Sequence, residues 1–305
     1  SEALIKKKIE KYKRLIQVSE IIDCDSFISM DDKPADIVRT KENSSMYRAI
    51  KAVKDNHSDA LLSFGNTGAL MSLSTLHIKT LEFIRRPAIA SIWPNMLGES
   101  IVLDLGANTK LDARYLIDNS ILGASLAVIL FKIDSPSVGL LNVGVEDNKG
   151  REEIKLASDK LKEFTKNINI NYQGYVEGND ISFGKTNVVV TDGFTGNIAL
   201  KTAEGTAKLF QSHLNDAFRS SILSKIGFFF ASLAMKSVRD RLDPRVHNCG
   251  ILMGLNSLVV KCHGHSEFRG VSYAADIIYS LLENNVNNKI QHYVSEIQTK
   301  LTKGN

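Results

Sequence analysis

Residues 188–210, "VVVTDGFTGNIALKTAEGTAKLF", join a strand to a helix through a glycine-rich turn. An apolar run at 188–191 is followed by a turn with two glycines at 192–197, and apolar residues then recur at helical spacing to residue 210. A helix that begins after such a turn has unpaired backbone N–H groups, and its dipole favours an anion there. The stretch predicts an anion site, although an ordinary turn whose glycines only satisfy backbone geometry explains one such motif as well.

Three further segments repeat this pattern of strand, glycine or asparagine turn, and helix. Their predicted strands are 59–64, 101–105 and 138–143, and the turns are 65–68, 106–108 and 144–150. Four such units predict an α/β fold with a doubly wound, mostly parallel sheet and helices on both faces. Ligands of such sheets bind beyond the carboxyl ends of the strands. We expect all four turns to meet there, and this convergence favours the anion site over ordinary turns.

The composition is that of a globular protein. The chain has 305 residues, of which 43% are hydrophobic and 24% charged, so it is long enough for an ample core. The formal net charge of +4 is too small and too scattered to indicate a nucleic-acid partner. We predict a single α/β domain over residues 1–305.

Cysteine usage and hydropathy bear on the location of the protein. The chain has three cysteines, Cys24, Cys249 and Cys262, and none of them belongs to a CxxC motif. Because three is an odd number, these cysteines cannot all form disulfides within the chain. The chain has no run of eighteen or more apolar residues, and its Lys-rich start lacks the apolar core of a secretion signal. These features favour a cytoplasmic protein in which no segment spans a bilayer.

Several enzyme classes lack their sequence signatures. There is no GxGxxG after the first strand, no GxxxxGK[ST], no GxSxG and no evident Ser/His/Asp set. The four turns instead share asparagine and glycine, with lysines such as Lys149 and Lys201. Backbone amides and one or two ammonium groups suit a small oxyanion.

The motifs and their order resemble those of the bacterial PlsX-type phosphate acyltransferases over nearly the whole chain. The segments that carry the resemblance include SFGNTGALM at 63–71, LDLGAN at 103–108, VGLLNVGVEDNKG at 138–150, TDGFTGNIALKTAEG at 191–205, LDPR at 242–245 and VVKCHG at 259–264. The resemblance implies a fold like those of isocitrate and isopropylmalate dehydrogenases and of phosphotransacetylases. It also implies transfer of an acyl group from acyl carrier protein to inorganic phosphate, giving acyl phosphate for phospholipid synthesis.

This reaction needs no covalent acyl-enzyme, since bound phosphate is itself the nucleophile. The site must hold one dianion and stabilise a second developing negative charge. The resemblance implies no cofactor and no metal, and it implies a homodimer.

Two residues are the candidate catalytic groups. Lys149 stands near a helix start, where the dipole disfavours a cation unless an anion is bound; the alternative is a surface lysine. Asn197 could donate its amide to phosphate or to the oxyanion, and the alternative is a simple helix cap. Further candidates for phosphate or substrate binding lie in the same turns: Asn66, Thr67, Gly68, Asn108, Gly193, Thr195, Gly196 and Lys201.

Residues 208–245 are predicted to form a helical hairpin with an apolar tip and a cationic collar. The tip includes Phe228, Phe229 and Phe230, and the collar includes Lys225, Lys236, Arg239 and Arg241. An interfacial membrane element has this composition, and so does a helix pair buried in a homodimer. The resemblance implies a projecting hairpin that serves both purposes, and the collar could also receive the acidic carrier protein. We therefore expect peripheral association with a membrane surface.

The histidine and cysteine cluster at 247–265 does not have the spacing of a zinc site, so we predict no metal. Family members begin with a strand and a Gly-Gly-Asp turn that have no counterpart here. We expect that the given chain omits this start.

Two other function classes stay open. An acyltransferase that uses acyl-coenzyme A and phosphate would need the same anion chemistry, and it predicts turnover with acyl-coenzyme A. A non-catalytic, membrane-associated scaffold predicts liposome binding without thioester cleavage.

Overall fold

The computed structural model of the chain describes residues 2–32, 37, 43–241, 249–262, 264 and 268–303. The helices are α1 Glu2–Ile9, α2 Lys13–Gln17, α3 Ser45–Lys54, α4 Thr67–His77, α5 Ala113–Phe131, α6 Glu152–Phe164, α7 Gly178–Phe183, α8 Gly193–Arg219, α9 Ile222–Arg241, α10 Phe268–Glu283 and α11 Val286–Lys303. The strands are β1 Ala60–Ser63, β2 Ala88–Asn95, β3 Gly98–Leu103, β4 Ser137–Leu141, β5 Asn171–Val176, β6 Val188–Val190, β7 Cys249–Met253 and β8 Leu258–Cys262.

All eight of these strands form one sheet in the order β1-β8-β7-β2-β3-β6-β4-β5. The pairs β1/β8, β3/β6, β6/β4 and β4/β5 are parallel. The pairs β8/β7, β7/β2 and β2/β3 are antiparallel. The fold is therefore α/β with a mostly parallel sheet, and the four predicted strand and helix units are all present.

The prediction that the four turns meet at one edge of the sheet is wrong for β1. Three antiparallel pairs lie between β1 and β3, so β1 runs opposite to β3, β6 and β4. Its turn at 65–68 leaves from the other edge. The reversals come from the hairpins β2/β3 and β7/β8, which no strand-turn-helix pattern in the sequence indicates, because strands of a hairpin need no helical crossover.

Helices cover both faces of the sheet, as predicted. On the first face, Leu103 of β3 belongs to a core that includes Leu122 of α5 and Ile290 of α11. On the second face, Val102 of β3 belongs to a separate core with Leu70 of α4. Successive strand residues point to opposite faces, so each strand contributes to both cores.

The helix α5 has the length and apolar composition of a membrane span, but 78% of that window is buried inside the protein. It packs between the sheet and helices α6 and α11. Its apolar character therefore serves the core.

The helices α8 and α9 form the hairpin predicted at 208–245, with the connection at Ser220 and Ser221. The first helix begins well before residue 208, and residues 242–245 lie outside the described part of the chain. The rings of Phe218 and Phe228 lie 4.9 Å apart between the two helices. Other large apolar side chains are exposed, namely Leu209, Phe210, Ile222, Leu223, Ile226, Phe229 and Phe230.

Candidate active site

A cavity of about 200 Å³ lies on the second face of the sheet, above the antiparallel strands. It is lined by Thr67, Ile89, Ser91, Leu105, Gly106, Asn197, Leu200, Lys201, Cys249, Gly250, Lys261 and Cys262. Two of these residues are lysines, and none of them is an aspartate or a glutamate. The electrostatic potential of such a cavity favours an anion.

One wall of the cavity is the turn after β3, which a buried carboxylate organises. Oδ1 of Asp104 accepts hydrogen bonds from the amides of Ile89, Gly106 and Ala107 at 2.8–3.1 Å. Oδ2 accepts from the amide of Asn108 at 2.7 Å and from the hydroxyl of Tyr115 at 2.8 Å. Burial raises the pKa of Asp104, and the bonds from the turn amides oppose that rise. The turn is therefore rigid, and Leu105 and Gly106 are presented to the cavity.

A second wall of the cavity is the start of α8, which packs directly against this turn. A Cβ atom on Gly196 would lie 1.9 Å from the carbonyl oxygen of Asp104, and one on Gly193 would lie 2.6 Å from Oδ2 of Asp104. Only glycine permits this approach. The close contact orients α8 so that Asn197, Leu200 and Lys201 face the cavity.

The backbone amides at the start of α8 are not free to bind an anion, which corrects the first expectation from the sequence. Asp192 caps the helix, and its Oδ1 accepts from the amides of Phe194 and Thr195 at 3.0 Å. The amide of Gly193 donates to the carbonyl of Asn108, and that of Gly196 donates to the carbonyl of Asp192. A carboxylate within the protein thus occupies the place that an anionic ligand was expected to take.

Lys261 of β8 and Ser91 of β2 contribute polar side chains to the cavity from the sheet. Lys261 is 8% exposed, and its ammonium donates to the carbonyl of Cys262. The hydroxyl of Ser91 donates to the carbonyl of Cys249 at 3.2 Å. Burial lowers the pKa of Lys261, and the nearby charge of Lys201 lowers it further.

Comparison with known proteins identifies the family. The family described as "Fatty acid synthesis protein" matches residues 1–289. A phosphate acyltransferase of Xanthobacter autotrophicus is 45% identical over 291 residues, which are 95% of this chain and 81% of the relative. One from Rhizobium etli is 44% identical over 294 residues, 96% of this chain and 84% of the relative. The chain belongs to the phosphate acyltransferases.

Solved structures show the same fold at low sequence identity. The EutD phosphotransacetylase from Staphylococcus aureus has a TM-score of 0.52 at 15% identity, over 96% of this chain and 84% of its own. A phosphotransacetylase from Streptococcus pyogenes has a TM-score of 0.53 at 16% identity, over 92% of this chain and 83% of its own. The predicted phosphotransacetylase-like fold is confirmed.

The cavity of this phosphate acyltransferase contains three of the predicted site residues: Asn197, Lys201 and Thr67. The ammonium of Lys201 also lies 2.8 Å from a carboxylate oxygen of Glu204. Thr67 is the first residue of α4, and Gly68 follows it there. These residues come from two elements that are remote in sequence.

Other predicted side chains are engaged in hydrogen bonds within the protein. Asn66 caps α4 by accepting from the amide of Ala69, and its Nδ2 lies 3.0–3.2 Å from three backbone carbonyl oxygens in the segment 29–32. Nδ2 of Asn108 donates to the carbonyl of Pro87 and to the hydroxyl of Tyr115, both at 2.8 Å. The hydroxyl of Thr195 donates to Asp192 at 2.7 Å. In the structure these contacts shape the turns.

Lys149 lies in the exposed turn after β4, at the sheet edge shared with the turns of β3 and β6. It is not among the residues that line the cavity. Nδ2 of Asn142 donates to the carbonyls of Gly144 and Lys149 and so fixes the backbone of the turn. The catalytic role of Lys149 stays a prediction.

Sequence reasoning missed the sheet residues of the cavity. A lysine within the otherwise apolar strand "LVVKC" at 258–262 was the available signal, because a buried lysine is rare without a function. Cys249 and Cys262, which face each other across β7 and β8 with Cα atoms 4.4 Å apart, form a disulfide that the spacing did not indicate. No group of three or more possible metal ligands occurs in the described residues, and His247, His263 and His265 lie outside them.

Proposed function

We propose that this phosphate acyltransferase transfers the acyl group of acyl carrier protein to inorganic phosphate. The observation that carries the proposal is the cavity with two lysines, an asparagine and no carboxylate among its lining residues. Such a cavity suits a phosphate dianion, which is already a nucleophile at neutral pH. Acyl phosphate and the free thiol of the carrier protein are the products.

The chemistry is a direct attack without a covalent acyl-enzyme. A phosphate oxygen forms a bond to the thioester carbonyl carbon, and the tetrahedral intermediate then breaks its C–S bond to release the thiolate, which takes up a proton. Within the described lining, both cysteines are joined in a disulfide and the hydroxyl of Ser91 donates to a backbone carbonyl, so neither type of residue is an activated nucleophile. Asn197 donates to the developing oxyanion, and Lys149 and Lys201 neutralise charge.

The hairpin of α8 and α9 is the proposed contact with the membrane surface and the carrier protein. Phe229 is 74% exposed and Phe230 is 79% exposed, beside the exposed cations Lys225 and Lys236. Apolar side chains with flanking cations support an interfacial position, and the proposed location of the enzyme is therefore the surface of a membrane that faces the cytoplasm. The side chains of Arg239 and Arg241 lie outside the described residues. The alternative is that the same helices form the interface of a homodimer.

The test is release of free carrier-protein thiol from palmitoyl-(acyl carrier protein), with acyl phosphate trapped by hydroxylamine. We expect release to require phosphate and to fall in Lys149→Ala, while Lys185→Ala, which removes an exposed lysine paired with Asp180, keeps normal activity. Palmitoyl-coenzyme A at the same concentration is the comparison donor. Faster turnover of coenzyme A thioester would support the alternative acyl-coenzyme A enzyme instead. Membership of an acyltransferase family speaks against the non-catalytic scaffold.

A further inference from the structure

Lys261 occupies a position on the sheet that leaves its side chain directed into the cavity. It pairs with Gly250 of β7 on one side and with Ser63 of β1 on the other. Gly250 has no side chain of its own, and Ile89 of β2 fills the place that its Cβ would take, so Ile89, Gly250 and Lys261 together line the cavity on the second face. Val260 and Cys262, its neighbours in β8, belong to the core on the first face, so Lys261 points away from that core.

The ammonium of Lys261 is buried close to a second cation. Among the described residues, no carboxylate forms an ion pair with it, and its hydrogen bond goes to a backbone carbonyl. The charged group close enough to affect it is Lys201, another cation. A buried ammonium next to a second ammonium destabilises the folded protein unless an anion joins them. Glu204 pairs with Lys201 at 2.8 Å, so the charge left without a paired carboxylate among the described residues is that of Lys261, and an anionic ligand in the cavity would balance it.

We propose that Lys261 is a phosphate-binding residue of the active site, which holds the attacking phosphate against the sheet between itself and the Lys201 and Asn197 side chains of α8. This assignment rests on the proposed function for the identity of the anion. Lys261 stays protonated throughout, while the phosphate oxygen bonds to the carbonyl carbon and the thiolate leaves. Its role differs from that predicted for Lys149, which is exposed in a turn.

Phosphate kinetics of Lys261→Met test the assignment, since methionine keeps the length and apolar stem of the side chain and removes the charge. Loss of one charge-assisted contact predicts a KM for phosphate about 10- to 100-fold higher, with the KM for the acyl donor changed less than about threefold. The matched control Lys185→Met removes an exposed lysine and keeps wild-type constants. A KM for phosphate within about twofold of wild type in a folded variant would overturn the proposal. A rise confined to the KM of the acyl donor would overturn it as well, because Lys261 would then bind a phosphate group of the donor and not inorganic phosphate.

Stability separates a ligand-binding lysine from a structural one. The folded-state pKa of Lys261 is lowered, so its protonation opposes folding below that pKa, and this penalty disappears as pH rises toward the pKa of an unfolded lysine. Lys261→Met should therefore melt at the same temperature as wild type or higher at neutral pH without phosphate. Phosphate should raise the melting temperature of wild type and not that of the variant. Equal stabilisation of both proteins by phosphate contradicts the assignment.

Chemical labelling of the wild-type protein needs neither a variant nor an acyl donor. Lys261 and Lys185 are acetylated by a brief pulse of acetic anhydride at mildly alkaline pH, and each site is quantified by peptide mass spectrometry. Saturating inorganic phosphate should slow labelling of Lys261 at least about fivefold relative to chloride of equal ionic strength, and leave Lys185 unchanged. Unchanged labelling of Lys261 refutes the proposal. Protection of Lys261 in a protein that does not turn over palmitoyl-(acyl carrier protein) would refute the proposed donor and leave the phosphate site in place.

Discussion

The two ends of helix α8 have opposite surroundings. At its start, Gly193 and Gly196 are buried against the turn after β3, and Asp192 caps the helix. Toward its end, Leu209 and Phe210 are exposed beside the apolar side chains of α9. One continuous helix thus joins a tightly packed wall of the cavity to an exposed apolar surface. The first end of α8 therefore depends on close packing within the protein, whereas the apolar side chains at the second end are left exposed.

The largest effect is expected from Gly196→Val at the buried end. Its side chain would overlap the carbonyl oxygen of Asp104, since even a Cβ atom there would lie 1.9 Å away. A backbone carbonyl cannot move away from the clash as the end of a flexible side chain can. The substitution should therefore lower the free energy of unfolding by about 3 kcal/mol or more. Urea denaturation followed by circular dichroism measures this loss.

The control is Gly205→Ala in the same helix, where an added Cβ meets nothing within 4 Å. Alanine in a helix interior is favoured over glycine, so stability should rise by about 0.5–1 kcal/mol. Similar losses in both variants would mean that the two ends of α8 do not differ in packing.

Asn197→Ala should abolish most catalysis without unfolding the protein. Asn197 lines the cavity with an exposed side chain, so its removal should change the free energy of unfolding by less than about 0.5 kcal/mol. Loss of one oxyanion donor should lower phosphate-dependent turnover about 100-fold. Asn288→Ala, exposed on α11 and outside the hairpin, is the matched control and should keep full turnover. Equal activity of the two variants removes Asn197 from the mechanism.

The smallest effect concerns the apolar end. Phe229→Asp should weaken binding to anionic liposomes about tenfold in flotation assays, because an exposed phenylalanine that enters the interface is replaced by a charge. Phe268→Asp is the control, since Phe268 is 85% exposed on α10, a helix that is not part of the hairpin. If liposome binding persists and gel filtration shows a smaller particle, the hairpin is a dimer contact instead.

Much of the fold could be predicted because strand, turn and helix units have local signals. The strands predicted at 101–105 and 138–143 overlap β3 at Gly98–Leu103 and β4 at Ser137–Leu141. The antiparallel strands β2, β7 and β8 could not be predicted, since their hairpins carry no helical crossover. The direction of β1 relative to β3 depends on those strands, so the turn at 65–68 leaves from the other edge of the sheet, although its Thr67 still lines the cavity.

The candidate site was predictable only in part for a related reason. Asn197, Lys201 and Thr67 were found from their turns, and the structure brings them to one cavity. Asn66 and Asn108 occupy similar turns, yet their amides are engaged by carbonyls and by Tyr115. A turn motif does not reveal which hydrogen-bonding groups the folded protein already uses.

The sequence by itself determined the α/β class and the family, because these depend on local backbone patterns and on motifs in a fixed order, and it predicted an anion site. Tertiary structure alone decided which groups are available to the anion. It engaged the amides of α8 with Asp192 and Asn108, and it brought the buried Lys261 of β8 close to Lys201. Hydrogen-bond satisfaction and burial depend on partners distant in the chain, so no stretch read alone contains them.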